Sequence, residues 1–203
     1  MPPKSAEHAA TDRPRRGTPD QTRERLIQAA AKQFNRLGYH GTDSNTIAKA
    51  AGYATGTFYK HFSDKREIFL AAYERWLAAQ WQEVSAELAL LRNPEKTARK
   101  LVALSIRFHS EWSGLRASLM ELVFSDPEAR KFFRKQRRMQ LERIIELRSR
   151  FALPAQTGEQ DAILLWTTER VYDAIGQGEV QSLGLDKEQV IESMVERVRT
   201  FLK

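Results

Sequence analysis

Cysteine is missing altogether from the 203 residues. Its absence excludes disulfides, thiolate metal sites and a cysteine nucleophile. Histidine is scarce, and His8, His40, His61 and His109 never stand four residues apart, so no helical pair of imidazoles is offered to a metal. Neither a phosphate-cradling glycine loop nor a GxSxG elbow occurs. No apolar run reaches the roughly 20 residues of a membrane span, and the opening residues lack the apolar core of a secretion signal. These absences set the expectation of a cytoplasmic, non-enzymatic protein without metal, cofactor or membrane partner. An active site assembled from distant carboxylates leaves no local motif, so an enzyme remains an alternative.

What is present is charge and helical patterning. Hydrophobic residues make up 41% and charged residues 29%, the balance of a folded globular chain rather than a disordered one. The net charge is +7, and residues 1–62 contribute ten Lys/Arg against five Asp/Glu. A basic N-terminal third fits a polyanionic partner.

Residues 1–19 hold four prolines and the cluster Arg13, Arg15, Arg16, which reads as a mobile basic arm able to lie in a minor groove. Asp20 is a candidate cap for a first helix, in which Ile27, Ala30, Phe34 and Leu37 form a core-facing stripe ending at Gly38. Thr42 is the candidate cap of a second helix running to Ala50 or Ala51. Thr55 to His61 reads as a short third helix, and Ser63 or Asp64 as the start of a long fourth one, with Asp64 and Glu67 at capping-box spacing. Asn93-Pro94 and Asp126-Pro127 are start signals that predict helices near 94–112, 114–124 and 127–151. Pro154 and Gly158 mark a loop, and two further helices are expected near 159–178 and 187–202. Period-two alternation is absent, so the predicted fold class is all-α.

The stretch TDSNTIAKAAGYATGTFYKHF, Thr42 to Phe62, carries the functional information. Gly52 permits a tight turn between two short helices. Ile47, Ala48 and Ala51 are small or apolar enough for close helix packing, and Phe58 and Phe62, four apart, share the face that anchors the third helix. Its other faces carry Thr55, Thr57, Tyr59, Lys60 and His61, while Gly56 lets the helix start approach a groove wall. Small and hydrogen-bonding side chains in that arrangement suit a helix placed in the DNA major groove.

The run IAKAAGYATGTFYKHFSDKREIF resembles the helix-turn-helix of the tetracycline-repressor (TetR) type of transcriptional regulators. The resemblance covers about residues 20–75. Ile47, Ala48, Ala51, Gly52, Gly56, Thr57, Tyr59, His61, Phe62 and Lys65 all stand where the pattern asks. Tyr53 departs from a usual valine, Ala54 from the serine that caps the third helix, and Ser44 from an aliphatic residue. The resemblance implies that Tyr59, His61 and Lys65 hold phosphates, helped by Thr42 and Ser44. It makes Asn45, Thr55, Thr57 and Lys60 the base-reading candidates, with Lys60 suited to guanine.

Residues 128–150 hold nine Lys/Arg against three Glu, and the first six basic residues fall within about half the helix circumference. A solvated face is the expectation there, with an anion site as the alternative. The resemblance further implies a small-molecule inducer held among the middle helices. Large apolar candidates for that pocket are Trp76, Phe108, Trp112, Met120 and Phe124, with His109 and Arg116 as polar contacts. The last helix carries Val190, Ile191, Met194, Val195, Val198, Phe201 and Leu202, and the one before it has Leu164, Thr168, Val171 and Ile175 along one line, with Ala174 and Gly178 allowing close approach. Stripes this broad need cover from their own bundle or a second copy. The resemblance favours the copy, a homodimer through helices 159–178 and 187–202.

The expected organisation is therefore an arm (1–19), a three-helix DNA-binding domain (20–66, motif about 42–62) and a larger helical ligand-binding and dimerisation domain (67–203). The expected function is a ligand-responsive repressor on a near-palindromic duplex operator. The alternatives are a non-specific DNA-coating protein and an enzyme carrying a DNA-binding head.

Overall fold

The computed structural model describes residues 17–203; the basic cluster Arg13, Arg15 and Arg16 lies outside them. Ten helices occupy the described residues: α1 (Pro19–Leu37), α2 (Ser44–Ala50), α3 (Thr55–Tyr59), α4 (Lys65–Ala89), α5 (Pro94–Glu111), α6 (Ser113–Ser125), α7 (Pro127–Arg150), α8 (Gly158–Gly176), α9 (Glu179–Ser182) and α10 (Lys187–Leu202). No strand is found among these residues. The all-α expectation holds, and the short α9 is an addition to it.

The two proline-led starts form as predicted, Asn93 accepting from the Lys96 N–H and Asp126 from the N–H groups of Glu128 and Ala129. Other caps move by a residue or two. Thr18, not Asp20, caps α1, in a capping box with Gln21 and with Pro19 in the first turn. Asp20 sits inside that turn, where its charge complements the helix dipole. Asp64 caps α4 through the Glu67 N–H, while the Glu67 carboxylate reaches back to Ser63, accepting from both its N–H and its hydroxyl.

The helices enclose two apolar cores. In the first, Leu26, Ile27, Ala30 and Phe34 of α1 meet Ile47, Phe58, Phe62, Ile68 and Phe69. Phe34 packs edge-on against Phe69 at 5.0 Å. Phe108, Leu115, Leu119, Leu122 and Ala129 complete this core, so it runs continuously across residue 66. The second core joins Leu88, Leu101 and Val102 to Leu147, Tyr172, Met194, Val195, Val198 and Leu202. Trp81 packs against both.

A polar junction ties the first helix to the sixth. α6 has no side-chain cap of its own, and Asn35 of α1 supplies one from outside. Its Oδ1 accepts from the Leu115 N–H at 3.1 Å and its Nδ2 donates to the Glu111 carbonyl at 2.7 Å. Close by, the Tyr39 N–H donates to Ser118 Oγ. α1 and α6 are thereby joined backbone to side chain, through groups that would otherwise be unsatisfied.

Candidate nucleic-acid interface

The turn between α2 and α3 is built on Gly52, whose φ of +79° is the left-handed region that penalises a side chain. The Tyr53 N–H then closes the turn onto the Ala48 carbonyl at 2.8 Å. Phe58 is fully buried and Phe62 nearly so, which pins α3 by one face. Arg23 of α1 lies 5.0 Å over the Phe62 ring.

The rest of α3 faces outward and is tied to α2 by two polar links. Thr55 Oγ1 donates to Asn45 Oδ1 at 2.7 Å, and Ser44 Oγ shares a 2.9 Å hydrogen bond with Tyr59 Oη. These links bring Ser44, Asn45, Thr55 and Tyr59 together, with Gly56 and Thr57 on the same short helix, Lys60 at its C-cap and half-buried His61 just beyond. Tyr59 is 57% exposed. A Cβ added at Gly56 would meet nothing within 4 Å. Nothing inside the protein requires glycine there, so the open space belongs to an outside surface.

Two expected phosphate contacts are placed differently. Thr42 is only 1% exposed and its hydroxyl donates to the Gly38 carbonyl at 2.9 Å. The cap of α2 is Asp43 instead, accepting from the Thr46 N–H at 2.7 Å. That N–H holds the Asp43 carboxyl below its ordinary range, so the start of α2 already carries its anion. Lys65 is drawn inward, donating to the Tyr39 carbonyl at 2.9 Å and lying 4.3 Å from the Tyr39 ring centroid. The sequence offered no signal for either: a buried threonine and a capping threonine look alike.

Among the middle helices a cavity of about 140 Å³ opens between α4, α5, α7, α8 and α10. Its apolar wall includes Trp81, Leu101, Ile144, Leu165, Tyr172 and Phe201, and its polar groups include Ser105, His109, Gln140 and Glu169. Of the seven pocket candidates only His109 reaches it. Trp76 and Phe108 are buried in the first core with Trp112 packed against it, because their ring area is more useful there. Met120 and Phe124 turn outward, Phe124 to 84% exposure. Arg116 lies behind the cavity in an ion pair, its Nε and Nη2 each 2.8 Å from an Asp173 oxygen. Asp173 also holds His109 Nδ1 at 2.8 Å. Burial acts to raise the Asp173 pKa, but its bonds to His109 and Arg116 outweigh that and keep it well below the usual range. Burial pushes the His109 pKa down, against the pull of Asp173. Gln140 and Glu169 were missed because a polar residue at a buried helix position carries no sequence mark of its own.

The basic face of α7 is partly spent within the chain. Arg130 donates to the Val123 and Phe124 carbonyls, Arg137 pairs with Glu169, and Arg148 with buried Asp161. Lys131, Arg134, Lys135 and Arg138 stay exposed.

The C-terminal stripes also divide. Met194, Val195, Val198 and Leu202 of α10 are buried inside the chain, where α10 packs on α5. On α8, Leu164 and Thr168 face the cavity, and Gly176 rather than Gly178 makes the close approach, within 3.0–3.2 Å of Ser110 for an added Cβ. The outward apolar residues of α8 are Ile163 and Trp166, 55% and 57% exposed. Among the described residues no helix is long and apolar enough to cross a membrane, and no group of three or more His, Asp or Glu is placed to hold a metal.

A three-helix unit with a short, outward-facing helix set across a second one defines a helix-turn-helix protein. The family model for the bacterial regulatory proteins of the tetR family matches residues 26–72. The transcriptional repressor AcnR of Corynebacterium diphtheriae is 28% identical over 124 residues, 61% of this chain and 62% of AcnR. The transcriptional activator FasR of Mycolicibacterium smegmatis is 39% identical over 56 residues, 28% of this chain and 26% of FasR. The chain thus spans less than two thirds of the length of these relatives. In structure it is similar to Thermus thermophilus FadR, a TetR-family repressor in complex with lauroyl-CoA, with a TM-score of 0.57 at 24% identity over 87% of this chain and 92% of that one. Residues 26–72 of the chain are thus a segment of the tetR type of bacterial regulatory proteins.

Proposed function

We propose that the chain is a sequence-specific DNA-binding transcriptional repressor that acts as a homodimer and leaves its operator when a small molecule binds. The observation that carries this reading is the outer face of α3, where Gly56 fronts open space beside exposed Tyr59 and Lys60. In this reading Ser44, Tyr59 and His61 hold phosphates, and Asn45, Thr55, Thr57 and Lys60 read base edges. Thr42 and Lys65 act from behind, one bracing the α1–α2 turn and the other the Tyr39 backbone. Repression rather than activation is favoured because the match to the repressor AcnR runs more than twice as far as that to the activator FasR.

Residues 20–66 serve as the DNA head and 67–203 as the regulatory and dimerisation part. One five-residue helix reads too few base pairs to specify a site, so two copies are needed on a near-palindrome. The inducer acts only if it prefers a conformation in which the two heads no longer fit successive major grooves. Support for such coupling is that α6 touches both ends: Arg116 joins it to Asp173 behind the cavity, and Asn35 joins it to α1.

The test is selection of binding sites from random duplex DNA at near-physiological salt, followed by binding of two variants to the selected site. An inverted repeat should be enriched. Tyr59→Ala should weaken binding to every sequence, while Lys60→Ala should change the preferred base at one position. Salt-steep binding without enrichment would instead identify a non-specific coating protein.

A further inference from the structure

The cavity is small and its charges are already matched. A cavity of about 140 Å³ is close to the roughly 150 Å³ that holds one benzene ring. Glu169 at its wall is paired with Arg137 and accepts from Gln140 Nε2, and the charges behind it, Arg116 and Asp173, are paired with each other. A charged ligand would therefore enter without a free counter-ion, and an unpaired buried charge is the costliest group to desolvate. Around these groups the wall is aromatic and aliphatic.

Among the polar groups of the wall, His109 offers a ligand an acceptor whose state is defined by its partner. Ionised Asp173 can only accept, so the hydrogen between it and His109 sits on Nδ1. Burial keeps the imidazole neutral, which leaves Nε2 a lone-pair acceptor. No partner bonds Nε2 among the described residues, and the His109 ring lies in the cavity wall beside Tyr172, 5.6 Å away and edge-on.

From the size, the paired charges and this acceptor we infer that the cavity takes a neutral, single-ring hydrophobe bearing a hydroxyl, a phenol, with the hydroxyl donating to His109 Nε2. This rests on the reading of the cavity as the inducer site. It separates the chain from its structural neighbour, whose bound lauroyl-CoA is long and anionic.

The test uses the full-length protein, calorimetric titration and thermal unfolding, with phenol, benzene, benzoate and lauroyl-CoA as probes. Phenol should bind and raise the melting temperature, about fivefold tighter than benzene, the ratio expected for one net hydrogen bond. Benzoate should bind at least about tenfold more weakly than phenol, and lauroyl-CoA should not displace it. In His109→Phe the phenol-to-benzene ratio should fall to about one while benzene still binds. Ser105→Phe, which fills the cavity from α5, should abolish binding of both and serves if the first variant does not fold. Tighter binding of benzoate or lauroyl-CoA, or no preference for phenol over benzene, would overturn the assignment.

Operator binding is read separately. If lauroyl-CoA releases a selected inverted repeat and phenol does not bind, the ligand assignment fails and the regulator reading stands. If phenol occupies the cavity without changing operator affinity, the assignment stands and the inducer role fails.

Discussion

Two glycines show how differently one residue type can be required. At Gly114 an added Cβ would sit 2.0 Å from the Asn35 carbonyl oxygen, inside the contact that joins α6 to α1. At Gly56 it would meet nothing. Gly114→Ala should therefore force the helices apart and cost about 1–3 kcal/mol, the range of overpacking. Gly56→Ala should leave stability unchanged or raise it by up to about 1 kcal/mol, since alanine favours a helix. Yet the same variant should weaken operator binding several-fold if α3 lies against DNA. Denaturant melts and a binding titration on the two proteins separate these effects. At the same scale, Asp173→Ala leaves Arg116 buried without its partner, and should cost roughly 3–5 kcal/mol. The pH dependence has a defined sign. The His109 pKa is depressed in the fold, so the unfolded chain protonates first, and stability is complete above the unfolded value near 6.5 and declines as the pH falls. The Asp173 pKa is depressed too, so its contribution is present above the unfolded value near 4 and is lost as the pH falls through the lower folded one. Thermal melts from pH 7 to 5 should fall more for the parent than for His109→Gln, and a second decline below pH 4 should be absent from Asp173→Asn.

α3 is the least self-sufficient helix that bears on function. It has five residues, and Ala54 at its cap offers no side-chain hydrogen bond. Thr55 does not take over, because its hydroxyl is used on Asn45. The helix persists through Phe58 and the α2 links, not through its own ends. Ala54→Ser should supply the missing acceptor and stabilise the protein by about 0.5–1.5 kcal/mol, read as a shift in denaturant midpoint at constant slope. Element existence was readable because it depends on neighbours in sequence: Asn93-Pro94 and Asp126-Pro127 act within one turn, and the α1 stripe repeats at helical spacing. Caps were less readable, since Thr18 against Asp20, or Asp43 against Thr42, depends on which side chain the backbone finally presents. The α3 face was readable because the motif is local. The cavity was not: Trp76 and Trp81 look equivalent in sequence, and only packing decides that one joins a core and the other lines a void.

At the scale of the whole molecule, the apolar surface left over decides where a second copy would sit. The α10 stripe that argued for dimerisation is largely consumed inside the chain, with Met194, Val195, Val198 and Leu202 buried. What remains outward on that side is Ile163 and Trp166, one helical turn apart on α8, and exposed Leu183 and Leu185 in the approach to α10. Between α8 and α10 runs a groove that includes Val171 and Val190. A dimer formed by α8 and α10 would cover this face, with Trp166 as the large aromatic of the kind that dominates interface energetics. Trp166→Glu places a charge on that face and touches no core. The monomer's own stability should change by no more than about 0.5 kcal/mol, as for other surface positions. Sedimentation should nevertheless shift from dimer to monomer, and affinity for a full inverted repeat should fall towards that for a half-site. A variant that still sediments as a dimer would move the interface elsewhere, and the exposed pair Met120 and Phe124 on α6 would be the next face to change.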